Sequence, residues 1–202
     1  MKKTLITGMI AGGFLIFSCT DHEVIPPPVP LVDLECLCEG NVNGAGVSYN
    51  DTCLYSSTKT ISSTDLSSAE YQTQILGAGM NKGFELEMRS LYWNDDGSNN
   101  PTSTDWQAYF NSNMNPSYAA TSAEDGVVVK WTDDNGKIWI SDTGSVCIQN
   151  FTYNVFTYDS DTTGEYMKFD ATFNCRLLNS DYSPDSSICL TNGHIKSAFR
   201  RE

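Results

Sequence analysis

Residues 166–177 alternate between apolar and polar side chains at every position. Met167 and Phe169 belong to the apolar series, and Lys168 and Asp170 belong to the polar one. A period of two is that of an extended strand whose successive side chains point to opposite faces. So long a strand has to pack its apolar face against another layer of sheet, which restricts the chain to a β-rich architecture.

Shorter segments of the same kind occur elsewhere in the chain. Phe151, Tyr153 and Val155 alternate with polar residues, and clusters of Gly, Asn, Asp and Ser separate the other candidates, as turns require. Those candidates are residues 35–42, 47–54, 70–76, 83–92, 187–191 and 194–200. The pattern predicts an all-β fold: an antiparallel β-sandwich, or a related barrel, with one short helix.

The helix is predicted after a loop rich in Ser and Thr. Thr104 is placed to cap its first turn and Gln107 to reach back to the cap, as in a capping box. Trp106, Tyr109 and Phe110 follow at helical spacing. We therefore expect these aromatic rings to close one end of the sandwich.

A hairpin is predicted around Asn135–Gly136, because both residues tolerate the positive φ of a two-residue type I′ turn. That turn sets Trp131 opposite Ile140 and Thr132 opposite Trp139, and it keeps the isoleucines on the apolar face. A longer loop with a glycine bulge would shift the pairing by one residue. The pattern favours the tight turn, which places Trp139 on the polar face.

The N-terminus has the parts of an export signal. Lys2 and Lys3 are followed by a short uncharged run that ends just before Cys19. Residues 15–19 resemble a lipobox, so residues 1–18 are predicted to be a lipoprotein signal peptide and Cys19 the lipid attachment site. An ordinary signal peptide followed by a chance cysteine is the alternative.

Residues 19–33 are predicted to be a tether. Val24–Pro30 contains four prolines and favours an extended polyproline conformation. A loose strand at the edge of a sheet is the alternative. Residues 34–202 then form the β-sandwich domain, which is large enough for one core.

The chain is acidic, with a net charge of −13, and the predicted signal peptide contains basic residues but no acidic ones. So acidic a chain is not expected to bind nucleic acid, which requires a basic face. Nor is it expected to lie on anionic headgroups. The membrane contact that we expect is made by the lipid on Cys19, whose acyl chains would anchor the protein stably.

If Cys19 carries lipid, six cysteines remain for the domain: Cys36, Cys38, Cys53, Cys147, Cys175 and Cys189. An even number in an exported chain predicts disulfide bonds, although spacing alone leaves the pairing open. Cys175 and Cys189 lie on consecutive predicted strands and are one candidate pair. Cys36 and Cys38 share a strand face, so they would pair with the two remaining cysteines. Zinc is the less favoured alternative, because no C-x-x-C motif occurs.

Several turn and strand sequences resemble those of a known group of proteins. They are Val42–Gly44, Asp125–Val129, Asp134–Trp139, Phe173–Leu177 and Ile188–Ile195. In this order they resemble the small β-sandwich lipoproteins of unknown function that are common in Bacteroidota. The resemblance implies an outer-membrane lipoprotein. Asp21 and Glu23 resemble a signal for display on the cell surface, and the periplasmic face is the alternative.

Motifs of catalytic, metal-dependent or phosphate-binding sites are absent from the sequence. His194 is the only histidine of the domain, and a lone histidine after a turn favours a surface position over a general base. We therefore expect no enzymatic activity and no cofactor.

Two acidic segments remain. Asp159, Asp161, Thr163 and Asp170 have part of the spacing of a calcium loop. The second half of that loop belongs to the longest predicted strand, so a hairpin explains the segment better than a metal site. Residues 94–101 form another acidic loop, which we expect to be solvated.

Aromatic side chains are the best candidates for ligand binding, because a ring on the polar face of a sheet can stack on a sugar. The candidates are Trp139, Trp93, Trp106 and Tyr92, and core packing is the alternative for each. We expect a non-catalytic binding or accessory module of the cell envelope, with glycans as the ligand class. A structural or protein-interaction lipoprotein of the envelope, without a small ligand, is the alternative function.

Overall fold

A computed structural model describes residues 31–119, 124–179 and 186–201 of the chain. Within these residues the prediction of an all-β fold with one short helix is confirmed. The elements are β1 (Leu37–Val42), β2 (Ala45–Tyr49), β3 (Thr52–Thr60), β4 (Ser67–Leu76), β5 (Gly83–Trp93), α1 (Ser103–Ser112), β6 (Gly126–Thr132), β7 (Ile138–Ser141), β8 (Asn150–Asp161), β9 (Gly164–Asn179) and β10 (Ser186–Arg201).

All strands belong to one antiparallel sheet with the order β2-β1-β10-β9-β7-β6-β5-β4-β3, and β8 pairs with β9 as well. The strand β9 divides this sheet into two layers. β8 occupies one edge of β9 from Gly164 to Asn174, and β7 takes over the same edge at Leu177 and Leu178. β8 therefore stays in the layer of β1, β2, β9 and β10, whereas β7 begins the layer of β3 to β6. The order has two free ends, so the sheet does not close into a barrel.

Side chains from the two layers meet directly. The indole N–H of Trp131 on β6 donates to the hydroxyl of Tyr49 on β2 (3.1 Å). The hydroxyls of Thr73 on β4 and Ser197 on β10 lie 2.7 Å apart and are buried. Such contacts hold the β3–β6 layer against β10 and its neighbours, which makes the fold a sandwich.

The alternation predicted for residues 166–177 is confirmed in β9. Its apolar side chains from Met167 to Leu177 point inward and are at most 4% exposed. Phe169 of this series stacks on Phe199 (ring centroids 4.8 Å apart), and Phe199 stacks in turn on Phe110 of the helix (5.0 Å). Each ring buried in this way contributes about 1.5–3 kcal/mol to folding.

The helix begins earlier than predicted, and the proposed cap at Thr104 is wrong. Thr102 is the N-cap: its hydroxyl oxygen accepts the backbone N–H of Asp105 (3.1 Å) and donates to the Asp105 carboxylate (2.8 Å). Aspartate thus completes the cap in place of Gln107, which donates to Ser103 instead (3.2 Å). A carboxylate in the first turn also interacts favourably with the helix dipole.

The hairpin register is also corrected. Trp131 lies opposite Trp139 and Thr132 opposite Ile138, so Asn135–Gly136 does not form a two-residue turn. The alternative, a three-residue loop, forms instead: the N–H of Asp133 donates to the Lys137 carbonyl (3.0 Å), and the Asp133 carboxylate accepts two backbone N–H groups. Gly136 alone takes a positive φ there (76°). This register stacks the indoles of Trp131 and Trp139, with ring centroids 6.3 Å apart, and leaves Ile138 and Ile140 exposed. It is favoured because contact between two large aromatic rings stabilises the fold more than burial of the isoleucines would.

The two ends of the sandwich differ in their connections. At one end, which we call the loop end, lie the long connections 61–66 and 94–102 and the start of α1. The first described residues reach this end too, since the N–H of Val32 donates to Asp161 (2.7 Å). At the opposite end, the hairpin end, lie residues 133–137 and a two-residue turn at Asn43–Gly44 with φ of 48° and 82°.

Candidate functional site

The aromatic candidates occupy different environments. Trp106 is fully buried, and Trp93 is only 5% exposed, so neither ring face is open to a ligand and this part of the prediction is corrected. Trp139 is half-buried: it stacks on Trp131 and donates its indole N–H to Asp133 (3.2 Å), rather than lying on the polar face. Tyr92 is 52% exposed and is the one candidate with an open ring face.

Tyr92 lies on a groove at the loop end, between β5, α1 and the loop before β4. This part of the groove has a volume of about 380 Å³ and is lined by Leu66, Leu91, Tyr92, Trp93, Asn94, Asp105, Ala108 and Tyr109. It continues past Leu66 and Asn94 into a second opening of about 670 Å³, lined by residues 61–66 together with Asn94, Asp95 and Gly97. We call the continuous surface the loop groove. Ligand sites of proteins have volumes in this range.

The strand β5 positions the rings of the groove by its pleat. Leu91 and Trp93 point into the core, whereas Tyr92 between them points outward, and its hydroxyl donates to Asp125 (3.3 Å). Tyr109 of α1 closes the floor, because its hydroxyl donates to the backbone carbonyl of Arg89. Burial raises the pKa of Tyr109 above that of an ordinary tyrosine, so this hydroxyl stays protonated as a donor.

The two loops that border the groove are held by their own polar side chains. The Ser62 hydroxyl accepts the backbone N–H groups of Thr64 (3.3 Å) and Asp65 (2.9 Å). In the other loop, Asp96 accepts the N–H of Ser98 (3.0 Å), and this hydrogen bonding lowers the pKa of Asp96. Both loops are exposed, as predicted for residues 94–101, and these hydrogen bonds give each of them a defined shape.

Three of the rings beneath the groove have buried polar atoms without a well-formed hydrogen bond. These are the indole N–H groups of Trp93 and Trp106 and, on β4, the hydroxyl of Tyr71, whose ring contacts Trp106 at 5.9 Å. In the described part of the chain none of the three atoms makes a hydrogen bond of good geometry, although the Tyr71 hydroxyl and the Trp106 indole are close enough to interact. A buried donor left unpaired costs about 1–3 kcal/mol, so this region is less stable than its packing alone indicates.

A row of charged side chains covers the outer face of β1, β10 and β9, beside a groove of about 340 Å³. His194 lies between Asp170 (3.1 Å) and Glu39 (3.4 Å), and Lys196 lies 4.0 Å from Asp170. Burial acts to raise the pKa of Asp170, but hydrogen bonds from Asn154 and His194 lower it overall. Both ring nitrogens of His194 face carboxylates, so the residues described here give it no hydroxyl or thiol to activate.

The calcium arrangement does not form. Only two residues connect β8 to β9, and Asp161 accepts the N–H (2.7 Å) and hydroxyl (2.6 Å) of Thr163 within that turn. Asp159 binds Lys168 (2.9 Å), and these contacts lower the pKa of both aspartates. Asp170 lies six positions along β9 from the turn, roughly 20 Å away. The described residues contain no group of three metal-ligating side chains.

Two disulfide bonds form instead of the three expected from six cysteines. Cys38 and Cys175 are buried free thiols, and burial raises the pKa of Cys175 to about 12. The bonded pairs are Cys36–Cys53 and Cys147–Cys189, each with Cα atoms 5.7 Å apart.

The strand register explains why the expected Cys175–Cys189 pair is wrong. Cys175 lies opposite Leu190, and Cys189 lies opposite Arg176, so the two cysteines point to opposite faces of the sheet. The free thiols cannot bond each other either, because β10 lies between their strands. Two strand spacings are about 10 Å, which exceeds the reach of about 7 Å between Cα atoms in a disulfide.

An apolar surface lies at the other end of the molecule, on the outer face of β7 and in the loop that follows it. Ile138 and Ile140 are exposed, and Val146 and Ile148 are 76% and 75% exposed on either side of the Cys147–Cys189 bond. We call these four side chains the apolar surface. The sequence pattern missed it, because the tight-turn register assigned the isoleucines to the core.

The residues of the loop groove come from segments far apart in the sequence, which is why the sequence indicated only Tyr92 among its exposed members. Cys19 and most of the predicted tether lie outside the described residues. Within those residues, no helix is long and apolar enough to span a bilayer. No known protein family, curated protein or solved structure matches this chain.

Proposed function

We propose that this chain is an exported, lipid-anchored protein of the cell envelope whose β-sandwich binds glycans at the loop groove without catalysing a reaction. The observation that carries the proposal is the open ring of Tyr92 on a groove that is bordered by the helix α1 and by two polar loops. Loops held on a rigid sheet are where β-sandwiches place their binding residues.

The chemistry of the groove fits a sugar. The apolar face of a pyranose ring packs against an aromatic ring, and its hydroxyls need hydrogen-bond partners in several directions. Tyr92 supplies the ring, Leu66 adds apolar contact, and the side chains of Asn94 and Asp105 supply donors and acceptors at the edge. The groove is open at the surface, so a chain of sugars could extend along it toward Asp65.

The predicted anchor fits this position. A tether from Cys19 to Leu31 would span roughly 35 Å at the rise of about 3.1 Å per residue of a polyproline helix. It would join the domain at the loop end, because Val32 is bonded to Asp161 there. The tether would therefore hold the loop groove away from the outer membrane and leave room for a glycan between them.

Binding of the full-length protein, in detergent, to a glycan array tests the central part of the proposal. Tyr92→Ala should weaken binding about tenfold, because it removes the stacking ring. Tyr158→Ala is the matched control: Tyr158 is exposed on β8, outside the groove lining, and should leave binding unchanged. Binding to no glycan, or equal binding by Tyr92→Ala and the parent chain, would contradict the proposal.

The anchor needs its own test. Cells that express the chain and are fed an alkyne-labelled fatty acid should incorporate the label into the parent protein but not into Cys19→Ala. Digestion of intact cells by an added protease would then distinguish display on the surface from the periplasmic face. Equal labelling of parent and variant would contradict lipidation at Cys19.

The apolar surface favours a second function, docking of an envelope protein. The apolar side chains of Val146 and Ile148 are about three-quarters exposed, on a loop that is held by the Cys147–Cys189 disulfide. Exposed apolar side chains in a fixed loop are typical of a surface that binds another protein. Val146→Ser with Ile148→Ser should abolish capture of such a partner from solubilised envelopes and leave glycan binding intact. Capture that persists in this double variant would eliminate the second function.

A further inference from the structure

Three strands of the sheet pair on one side only. Among the described residues, β2 and β3 are the two ends of the strand order, and β8 pairs with β9 alone. Every second residue of such an edge strand directs its backbone N–H and C=O groups away from the sheet, where another strand can bind them. Each of the three edges is therefore a place where a further strand could add, unless the chain blocks it.

Two of the three edges have features that block the addition of a strand. The strand β2 is only five residues long. The strand β8 has an irregular register between Tyr153 and Val155, and its last residues include the charged Asp159 and Asp161. Short length, a β-bulge and charged side chains are the means by which proteins protect exposed strand edges.

The edge strand β3 is protected by little more than one lysine. It is nine residues long, and its register with β4 runs from Thr52 to Thr60 without a shift. It contains no proline, and Lys59 is its only charged residue. A long, regular and nearly uncharged edge is an open template for pairing with another strand.

The core is also incompletely covered along β3. Tyr55 contacts Tyr166 in the opposite layer (ring centroids 6.1 Å apart), yet Tyr55 and Ser57 are only partly buried. Their neighbours Thr73 and Tyr71 on β4 are completely buried, because β3 lies beside them. A further strand beside β3 would cover Tyr55 and Ser57 in the same way.

The charges along β3 favour a second copy of the same chain as the source of that strand. The chain carries a net charge of −13, so two copies repel each other wherever their acidic residues meet. Between Asp51 and Lys59 the edge is uncharged. When two copies of β3 pair antiparallel about Tyr55, Lys59 of each copy lies opposite Asp51 of the other, and such cross-strand pairs are favourable. Lys59 also donates to Asn100 (2.5 Å), and an ammonium group has three donors.

We propose that the free edge of β3 pairs antiparallel, about Tyr55, with β3 of a second copy, so that the β3–β6 layers of the two copies form one continuous sheet. The inference does not depend on the proposed glycan binding. Two paired strands bury less area than a standard protein interface, so in solution the dimer forms only at micromolar or higher concentrations. Anchors that confine both copies to one membrane would raise their effective concentration.

Hydrogen exchange of the full-length protein in detergent, followed by mass spectrometry, tests the pairing directly. As the protein concentration rises from about 1 µM to about 300 µM, amide protection should increase in residues 52–60 but not in β2 or β8. Sedimentation over the same range should show monomer converting to dimer. A monomer at every concentration would overturn the proposal. A dimer that adds protection at the apolar surface, or at any other place, and leaves β3 unchanged would overturn it too.

Charge exchange across the interface tests the register. Asp51→Lys sets lysines opposite each other at both ends of the pairing and should weaken the dimer about fivefold. Adding Lys59→Glu restores opposite charges and should recover most of the lost affinity. Asp134→Lys makes the same charge change in the exposed loop of the hairpin end and should leave the dimer unchanged. Equal dimerisation of the Asp51→Lys and Asp134→Lys variants would overturn the pairing about Tyr55.

Discussion

The four tryptophans divide equally between the two ends of the sandwich, and the two pairs differ in how their polar atoms are satisfied. At the hairpin end, Trp131 and Trp139 stack, and their indole N–H groups donate to a tyrosine hydroxyl and an aspartate carboxylate at 3.1 and 3.2 Å. At the loop end, Trp93 and Trp106 are almost completely buried, yet their N–H groups make no hydrogen bond of good geometry in the described chain.

The two tryptophan pairs therefore differ in how much their polar atoms contribute to stability. A buried donor without a partner costs free energy that a region evolved for stability alone would recover with one nearby acceptor. The two tryptophans of the hairpin end have such acceptors, although among the described residues Asp142, Arg176 and Ser186 toward that end also have buried polar atoms without a partner. The tryptophans of the loop end lack such acceptors and lie beneath an open, acidic groove.

Removal of one indole from each pair should have the largest effect on stability and should distinguish the ends. Trp106→Ala should lower the free energy of unfolding by about 3–5 kcal/mol, because it opens a cavity beside Tyr71 and Phe110. Trp139→Ala should lower it by about 2 kcal/mol, because that ring is only partly buried. Urea denaturation of both variants measures the difference. Equal losses of unfolding free energy for the two variants would mean that Trp106 and Trp139 are buried to the same extent.

Removal of a tyrosine hydroxyl from each end should give different results. Tyr49→Phe deletes the acceptor of the Trp131 N–H and should cost about 1–2 kcal/mol of unfolding free energy. Tyr71→Phe deletes a hydroxyl that makes no hydrogen bond of good geometry and has only a weak contact with the Trp106 indole, so it should cost little. The same denaturation experiment applies. A loss for Tyr71→Phe as large as that for Tyr49→Phe would show that the loop end is satisfied after all.

The helix that borders the groove should depend on Thr102. Thr102→Ala should cost about 1 kcal/mol of unfolding free energy, because it removes the N-cap of α1. Thr104→Ala, at the cap predicted from sequence, is the matched control and should cost no more than about 0.5 kcal/mol. If Thr104→Ala lowered the unfolding free energy more than Thr102→Ala in thermal or urea denaturation, the helix would begin where the sequence predicted.

The smallest stability effect is expected for the residue with the largest expected role in binding. Tyr92→Ala should change the unfolding free energy by no more than about 0.5 kcal/mol, because the ring is half exposed. Its binding defect would then be a property of the groove and not of a damaged fold. A stability loss comparable to that of Trp106→Ala would make Tyr92 a core residue.

The outline of the fold was predictable from the sequence because the side chains of β9 alternate with a period of two, which is the period of an extended strand. It failed at Asn135–Gly136, where the dipeptide favours a tight turn but the two tryptophans stack only in the shifted register. The related dipeptide Asn43–Gly44 does form the tight turn, since no competing stack exists there. Local turn chemistry therefore decides the register only where packing is indifferent to it.

The site was less predictable than the fold for a geometric reason. Tyr92 could be named from its residue type, but Leu66, Asp65 and Asp105 become neighbours of it only through the β4–β5 pairing and the docking of α1. The disulfides show the same limit. Whether Cys175 can reach Cys189 depends on the face to which each points, and that follows from a register that the sequence does not specify.

The indole N–H signals in a two-dimensional nitrogen–proton NMR spectrum provide the most direct test, because the four tryptophans report on both ends at once. On titration of the full-length protein with the best-bound oligosaccharide, the signal of Trp93, which lines the groove, should shift, and those of Trp131 and Trp139 should stay in place. Shifts confined to Trp131 and Trp139, with Trp93 unchanged, would place the binding site at the hairpin end and contradict the proposed role of the loop groove.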